Sequence, residues 1–289
     1  MGPCCAPQDA RPFDQYSSVP APDLGQAVRP DAPGALTVHP IGERADASAF
    51  AGSVVVMIDQ LRASSTIAAA LASGAHRIHP VRTVDEARAS ARSLDAERVL
   101  LAGERGGVMP EGFDLGNSPQ SFTPDRVGGR TIVCTTTNGT ATLLHAATAE
   151  RVLVASLANR DAVCEAFRGD PRPVHLLCAG TRGGVTLDDL IAAGALVERS
   201  LEHGRALSED DGSRVALRAW QEAQRVGVER ALRDTRGGRN LAAVGLDGDI
   251  PWCARVDHLD AVPAFDAALG SITRCPASPR PAPQRADAR

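Results

Sequence analysis

The sequence predicts an α/β fold built on a largely parallel or mixed sheet, and two observations carry that expectation. One unit recurs along the chain: a short apolar strand, a polar loop, then an alanine-rich helix. The strands are continuous apolar runs such as VVVMI (54–58) rather than alternating ones. Such runs suit strands covered by helices on both faces.

SVVVMIDQLRASSTIAAALASGA (53–75) is the first clear unit. RIHPV (77–81) followed by the helix-like TVDEARASARSL (83–94) is a shorter one, and RVLLAGE (98–104) is a further strand. RTIVCTTTNGTATLLHAATAE (130–150), RVLVASLANRDAVCEAF (151–167) and PVHLLCAGTRGGVTLDDLIAAGAL (173–196) repeat the pattern. Residues 209–234 differ. They read as a charged, amphipathic helical insertion near 209–236, with Val215, Trp220, Ala223 and Ala231 roughly on one face, packed on the sheet or on a neighbouring subunit. Residues 237–263 read as polar points (Arg239, Asn240, Asp249, Asp257) in an apolar, strand-like context. Residues 1–34 and 276–289 are rich in Pro and Ala without periodicity and are expected to be disordered tails around one domain, 35–275.

Composition narrows the function. The formal net charge of −4 disfavours a general nucleic-acid partner. All 31 basic side chains are arginine, so no lysine can act as base, Schiff-base former or P-loop cation. Seven cysteines without C-x-x-C pairs, and no signal-peptide pattern, point to a reducing, cytoplasmic compartment. No stretch is apolar enough to span a bilayer. There is no zinc-ligand spacing, no Walker motif and no G-x-G-x-x-G. Three residues separate Cys178 from Arg182, where a cysteine-phosphatase loop needs five, so Cys178 is not read as a nucleophile.

In such sheets, ligands bind beyond the carboxyl ends of the strands, and the polar residues gather there. Asp59 ends a strand, with Arg62, Ser64, Ser65 and Thr66 at the following helix start. A carboxylate there suits Mg²⁺; the arginine and hydroxyls suit phosphate. An ion pair with an N-cap serine is the structural alternative. Glu104 follows another strand and is a second candidate metal ligand, Arg105 a candidate anion clamp, with Asn117 and Ser118 in the same glycine-rich loop. Thr136, Thr137, Asn138, Gly139 and Thr140 mark a strand-to-helix handover that either caps the helix or holds an anion. The phrase AGERGG recurs as AGTRGG, which brings Arg182 into the candidate set. Thr186, Asp188 and Asp189 look like a capped helix start, and whether either aspartate faces the site stays open.

IDQLRASSTI, GERGG…GFDLGNSP, TTTNGTATL, SLANRDAV, CAGTRGGVTLDDLIAAGAL and GGRNLAAVGLDGDIPWCARVDHLDAVP, in this order, resemble the 2-phosphosulfolactate phosphatase (ComB-like) family over roughly residues 36–270. The resemblance implies a three-layer α/β/α fold and a Mg²⁺-dependent phosphoric monoester hydrolase. It would cleave (2R)-O-phospho-3-sulfolactate to 3-sulfolactate and phosphate, a step toward coenzyme M in organisms that make it. Asp59 and Arg62 would be catalytic, Asp59 and Glu104 would hold the metal, and the hydroxyl, amide and arginine residues above would bind the substrate. Whether Asp59 attacks phosphorus or only holds Mg²⁺ is open, as is a homo-oligomeric state. Gln60, Ser64 and Asp188 are small departures from the expected motif. The alternatives are a phosphatase of another small phosphorylated acid, or a non-catalytic anion-binding protein on the same scaffold.

Overall fold

The computed structural model describes residues 27–95 and 98–275. The tail 276–289, and 1–26 of the other expected tail, lie outside the described residues. Residues 27–34 are held to the body. The Val28 N–H donates to Leu207 O, and the Glu209 N–H donates to Val28 O.

Ten strands form one mixed sheet: β1 (Ala35–His39), β2 (Val54–Ile58), β3 (Arg77–Pro80), β4 (Val99–Gly103), β5 (Thr131–Thr135), β6 (Arg151–Ala155), β7 (Val174–Cys178), β8 (Ala206–Leu207), β9 (Pro263–Asp266) and β10 (Ser271–Arg274). Their order across the sheet is β4-β5-β3-β10-β9-β6-β2-β7-β1-β8. The helices are α1 (Ala63–Ala72), α2 (Val84–Arg92), α3 (Pro124–Val127), α4 (Gly139–His145), α5 (Arg160–Ala166), α6 (Leu187–Glu202), α7 (Asp211–Val226), α8 (Val228–Asp234), α9 (Arg236–Ala243) and α10 (Ile250–Cys253). No helix among the described residues is long and apolar enough to cross a membrane.

The continuous apolar run of β2 is explained by two cores. Val54, Val56 and Ile58 join the core that includes Val163 of α5, Ile191 and Leu196 of α6 and Trp220 of α7. Val55 and Met57 join the one that includes Ile67 and Leu71 of α1 and Leu143 of α4. Successive side chains point to opposite faces, so helices on both sides demand an apolar residue at every position. That is the α/β/α layering.

Parallel pairings form two blocks, β4-β5-β3 and β6-β2-β7-β1-β8. The hairpin β9–β10 joins them through three antiparallel steps. The blocks therefore run in opposite senses. Residues that follow β4 and β5 nevertheless line the same cavity as residues that follow β2 and β7.

Two expectations are corrected. The 237–263 stretch is not strand-like but mainly helical, carrying most of α9 and all of α10. The helical insertion packs against the sheet, as expected, with the Val38 N–H of β1 donating to the Ser213 hydroxyl at 3.0 Å, and it also lies close against α6; what changes is which residues form its buried face. The close contact exists because residue 194 is glycine: a Cβ there would lie 1.9 Å from Ala216 O. The buried stripe of α7 is Ser213, Ala216, Leu217, Trp220 and Ala223, while Val215 is exposed. At roughly 100° per residue, Val215 is about 140° round the helix from Trp220, off that face.

Candidate active site

A cavity of about 310 Å³ lies where the loops after β2, β4, β5 and β7 meet α9. Asp59, Arg62, Glu104, Asn117, Thr137, Asn138 and Arg182 all line it, as the sequence led one to expect. Arg236, Gly237 and Asn240 of α9 complete the wall.

Asp59 is buried at the start of α1, and its Oδ1 accepts the Ala63 N–H at 3.1 Å. Burial pushes its carboxyl up to about 7, Glu104 and Asp188 add to the rise, and the Ala63 and Gly139 N–H groups oppose it. Glu104 is fixed by the strand-to-helix run that follows β5. Its Oε1 accepts the Thr137 N–H at 2.7 Å; its Oε2 accepts the Gly107 N–H at 2.7 Å and the Thr137 hydroxyl at 3.1 Å. The TTTNGT run is thus an anion cradle, and two of its anions are the protein's own carboxylates.

Several expected ligand contacts are corrected. The Ser64 hydroxyl accepts the Asp59 N–H at 2.8 Å, the Ser65 hydroxyl donates to Gln60 O at 3.0 Å and the Thr66 hydroxyl to Asn117 O at 3.0 Å. All three are buried in loop-fixing bonds and none lines the cavity. Thr136 and Thr140 bond each other, each hydroxyl accepting the other's N–H at 3.1–3.2 Å, which caps α4 instead of facing a ligand. Gly139 abuts Asp59: a Cβ there would lie 2.8 Å from Asp59 Oδ2. Arg105 turns away from the cavity, donating to Arg82 O, Thr135 Oγ1 and Glu104 O at 2.8, 2.6 and 2.7 Å. Ser118 does not line the cavity and donates to Asp249 Oδ1 at 2.5 Å. Arg62 reaches the cavity, but its guanidinium is paired with Asp249 at 2.6 Å and donates to Gly107 O at 3.0 Å.

Asp189 is structural. It accepts the Gln60 and Gly180 N–H groups and the Thr186 hydroxyl, each at 2.8 Å. Asp188 is the aspartate that bears on the site. It packs against Gly237, where a Cβ would lie 2.6 Å from its Oδ2, and its buried Oδ1 has no partner. Burial raises its pKa. Cys178 lies in β7, and burial holds its thiol well above the usual range, which removes it as a nucleophile. Sequence reading missed Arg236, favouring Arg239. The helical spacing of Arg236, Gly237, Asn240 and Leu241 is the signal that separates them, once that stretch is read as a helix.

Among the described residues, no group of three or more His, Cys, Asp or Glu side chains is placed to hold a metal by protein ligands alone. Mg²⁺ asks for less: one or two carboxylates, with water and substrate oxygens completing its shell. Asp59 and Glu104 supply two acidic ligands on one cavity. The donor set fits such a cation.

Residues 40–268 match the family model described as 2-phosphosulpholactate phosphatase. A Synechococcus (strain CC9605) protein named "Probable 2-phosphosulfolactate phosphatase" is 37% identical over 253 residues, covering 86% of this chain and 94% of that protein. Proteins of the same name from Caldanaerobacter subterraneus subsp. tengcongensis and from Synechococcus strain JA-3-3Ab are 38% and 40% identical; each alignment covers 72% of this chain and 86% of the relative.

Proposed function

The chain belongs to the 2-phosphosulpholactate phosphatase family, and from that premise we propose that it hydrolyses (2R)-O-phospho-3-sulfolactate to 3-sulfolactate and phosphate with the help of Mg²⁺. It is a phosphoric monoester hydrolase. The single observation that carries this reading is the pairing of opposites in one cavity: Asp59 and Glu104 line it together with Arg182. A simple anion receptor gains nothing from two carboxylates beside its ligand, because they repel it. A metal-assisted phosphatase needs them.

Asp59 and Glu104 are the residues that would hold Mg²⁺. When bound, the ion would draw charge from a phosphoryl oxygen and balance the charge that builds up on transfer. The protein's own groups do the rest. The helix starts of α1 and α4 keep both carboxylates in place through main-chain N–H groups. Asp249 and Gly107 lock the Arg62 side chain, which ties the β4–α3 loop to the floor of the cavity. Thr137, Asn117 and Asn138 line the same cavity and are the polar residues that would meet the phosphate. All five cysteines among the described residues are free thiols, which supports a reducing, cytoplasmic setting. In an organism that makes coenzyme M, the reaction would lie on the route to it.

The test is phosphate release from phosphosulfolactate by the purified chain, before and after EDTA and on restoring Mg²⁺. The expected result is turnover that EDTA abolishes and Mg²⁺ restores. Full turnover in metal-free buffer rejects the metal; no turnover with Mg²⁺ rejects the reaction.

A further inference from the structure

One buried carboxylate joins two of the loops that line the cavity. Strands β2 and β7 are parallel neighbours, and their pairing closes where the Ala179 N–H donates to Ile58 O at 2.8 Å. Beyond that point the chains part, β2 running on into Asp59 and α1, β7 into the Thr181–Gly184 turn. Just past it, one N–H from each chain turns to Asp189. Gln60 donates to its Oδ1 and Gly180 to its Oδ2, each at 2.8 Å. The Thr186 hydroxyl also donates to Oδ2, at 2.8 Å. Asp189 is buried in the first turn of α6, whose Ile191 and Leu196 share a core with Val56 and Ile58 of β2. The carboxylate is therefore held by the core and in turn holds the two loops.

We propose that Asp189 is a positioning residue for the reaction: acting through Gln60, it fixes the Asp59 carboxylate and so sets how tightly Asp59 and Glu104 hold a divalent cation. The inference rests on the reading that these two carboxylates are the metal ligands. Asp189 does not line the cavity, so its effect passes through its neighbours. Gln60 is a rigid link. It is fully buried; its side chain donates to Cys253 O at 2.8 Å and accepts the Leu157 N–H at 2.9 Å, and its carbonyl accepts the Ser65 hydroxyl at 3.0 Å. Asp59, one residue earlier, is held by the Ser64 hydroxyl, which accepts its N–H at 2.8 Å. A shift of Gln60 carries Asp59 with it. On the other strand Gly180, at φ 65, has no room for a side chain, since a Cβ would lie 2.5 Å from Gly184 O. The turn it opens carries Thr181 and Arg182, which line the same cavity. Both N–H groups need an acceptor, and a carboxylate offers one oxygen to each. Asparagine has nearly the same shape but a single oxygen, so its NH₂ would face one of the two N–H donors.

The test uses the full chain as wild type, Asp189→Asn, Thr186→Val and Leu196→Ala. Thr186→Val removes one bond to Asp189 and leaves both loop N–H bonds in place. Leu196→Ala opens a void in the core further along α6 and shows what lost stability alone does. The first readout is Mn²⁺ binding by calorimetry. The second is amide exchange at Ala63, whose N–H donates to Asp59 Oδ1, measured relative to Val56 of β2. Asp189→Asn should weaken Mn²⁺ binding and speed Ala63 exchange at least about tenfold each, while the other two variants stay within about threefold of wild type. Wild-type Mn²⁺ affinity and Ala63 exchange in Asp189→Asn overturn the proposal, as do equal losses in Leu196→Ala. If Asp189→Asn does not fold, wild type decides. The Gln60 and Gly180 amides should then exchange within about tenfold of Val56, and the fast exchange of an exposed loop at both overturns the proposal. A wild type that binds no Mn²⁺, with Ala63 loosened in Asp189→Asn alone, supports the role of Asp189 in fixing Asp59 and counts only against the cation.

Discussion

Arg105 and Arg182 occupy matching places in the repeated phrases AGERGGV and AGTRGGV, yet only Arg182 lines the cavity. Both phrases make a tight turn. The first closes between Arg105 and Val108, the second between Thr181 and Gly184, one residue earlier in the repeat. Arg105 is thus a closing residue of its turn, whereas Arg182 lies inside its turn at φ 52, so the two side chains leave the backbone in different directions. Arg105 then ties Glu104, Arg82 and Thr135 together from behind the site.

Arg105→Met should therefore act on stability. It removes three hydrogen bonds from a half-buried guanidinium, for which roughly 1–3 kcal/mol is expected. KM should stay within about threefold of wild type. Urea midpoints and steady-state kinetics check this. A large KM rise at unchanged stability would place Arg105 against the substrate after all.

The Arg62–Asp249 pair should be the site's strongest single stabilising contact. Both side chains are at most 5% exposed, and they meet at 2.6 Å. Ser118 and Gln120 saturate the other Asp249 oxygen, at 2.5 and 3.2 Å. Asp249→Ala leaves a buried guanidinium without its partner, which typically costs about 3–5 kcal/mol. Asp249→Asn keeps an acceptor and should cost less. A denaturant midpoint for Asp249→Ala that implies under about 1 kcal/mol would mean water replaces the lost carboxylate.

Much of the fold was legible because β2 is uniformly apolar, β5 and β7 each contain a short apolar run, and all three are followed by a polar loop and a helix. The hairpin β9–β10 was not. Its strands are four residues each, too short for a period to stand out, and besides pairing with each other they are placed in the sheet by β6 and β3, distant in sequence. Asp59, Glu104 and Arg182 could be picked out because they follow strands, where such folds bind ligands. The serines after Asp59 misled for the opposite reason. Hydroxyls at a helix start serve ligands and backbone equally well, and only their packing reveals which. Arg236 depended on reading 236–243 as the helix α9, whose spacing points it at the cavity, and Asp188 on α9 packing against it through Gly237, a tertiary contact with no local signature.

Asp59 is expected to be the most sensitive position. Asp59→Asn should lower kcat at least about a hundredfold, since it removes charge where the transition state is stabilised, and should leave the protein folded. Gly139→Ala tests its support. The new methyl would lie 2.8 Å from Asp59 Oδ2 and 2.9 Å from Ala63 Cβ, so Asp59 must shift. Overpacking of this kind costs roughly 1–3 kcal/mol, and kcat should fall with it. Thr137→Val loses the hydroxyl bond to Glu104 but keeps the shorter N–H bond, so its effect on both should be smaller. If Gly139→Ala has wild-type kcat and stability, the contact between α4 and Asp59 does not position the carboxylate.

The histidine pair under the sheet should make stability depend on pH. His39 Nε2 and His175 Nδ1 are 3.0 Å apart, beside the Phe50 ring. One ring must donate and the other accept, so the pair is formed with at least one ring neutral. Burial, and then the neighbouring His39, push His175 down to about 4; burial also lowers His39. A histidine whose folded pKa is depressed contributes its full stability above the unfolded value near 6.5. That stability is lost as pH falls toward the folded value. For His175 the window is about 6.5 to 4, and the shift corresponds to about 3 kcal/mol. The raised carboxylates Asp59, Asp188 and Asp189 act in the opposite sense, gaining stability as pH falls. A wild-type curve alone would mix the two. The informative quantity is the difference between wild type and His175→Phe, in which the carboxylates cancel. Unfolding free energies of the two should diverge least at pH 4 and most above pH 6.5, with wild type relatively better at the higher pH. A difference that stays constant from pH 7 to pH 4 would show that His175 does not titrate differently in the folded and unfolded chain.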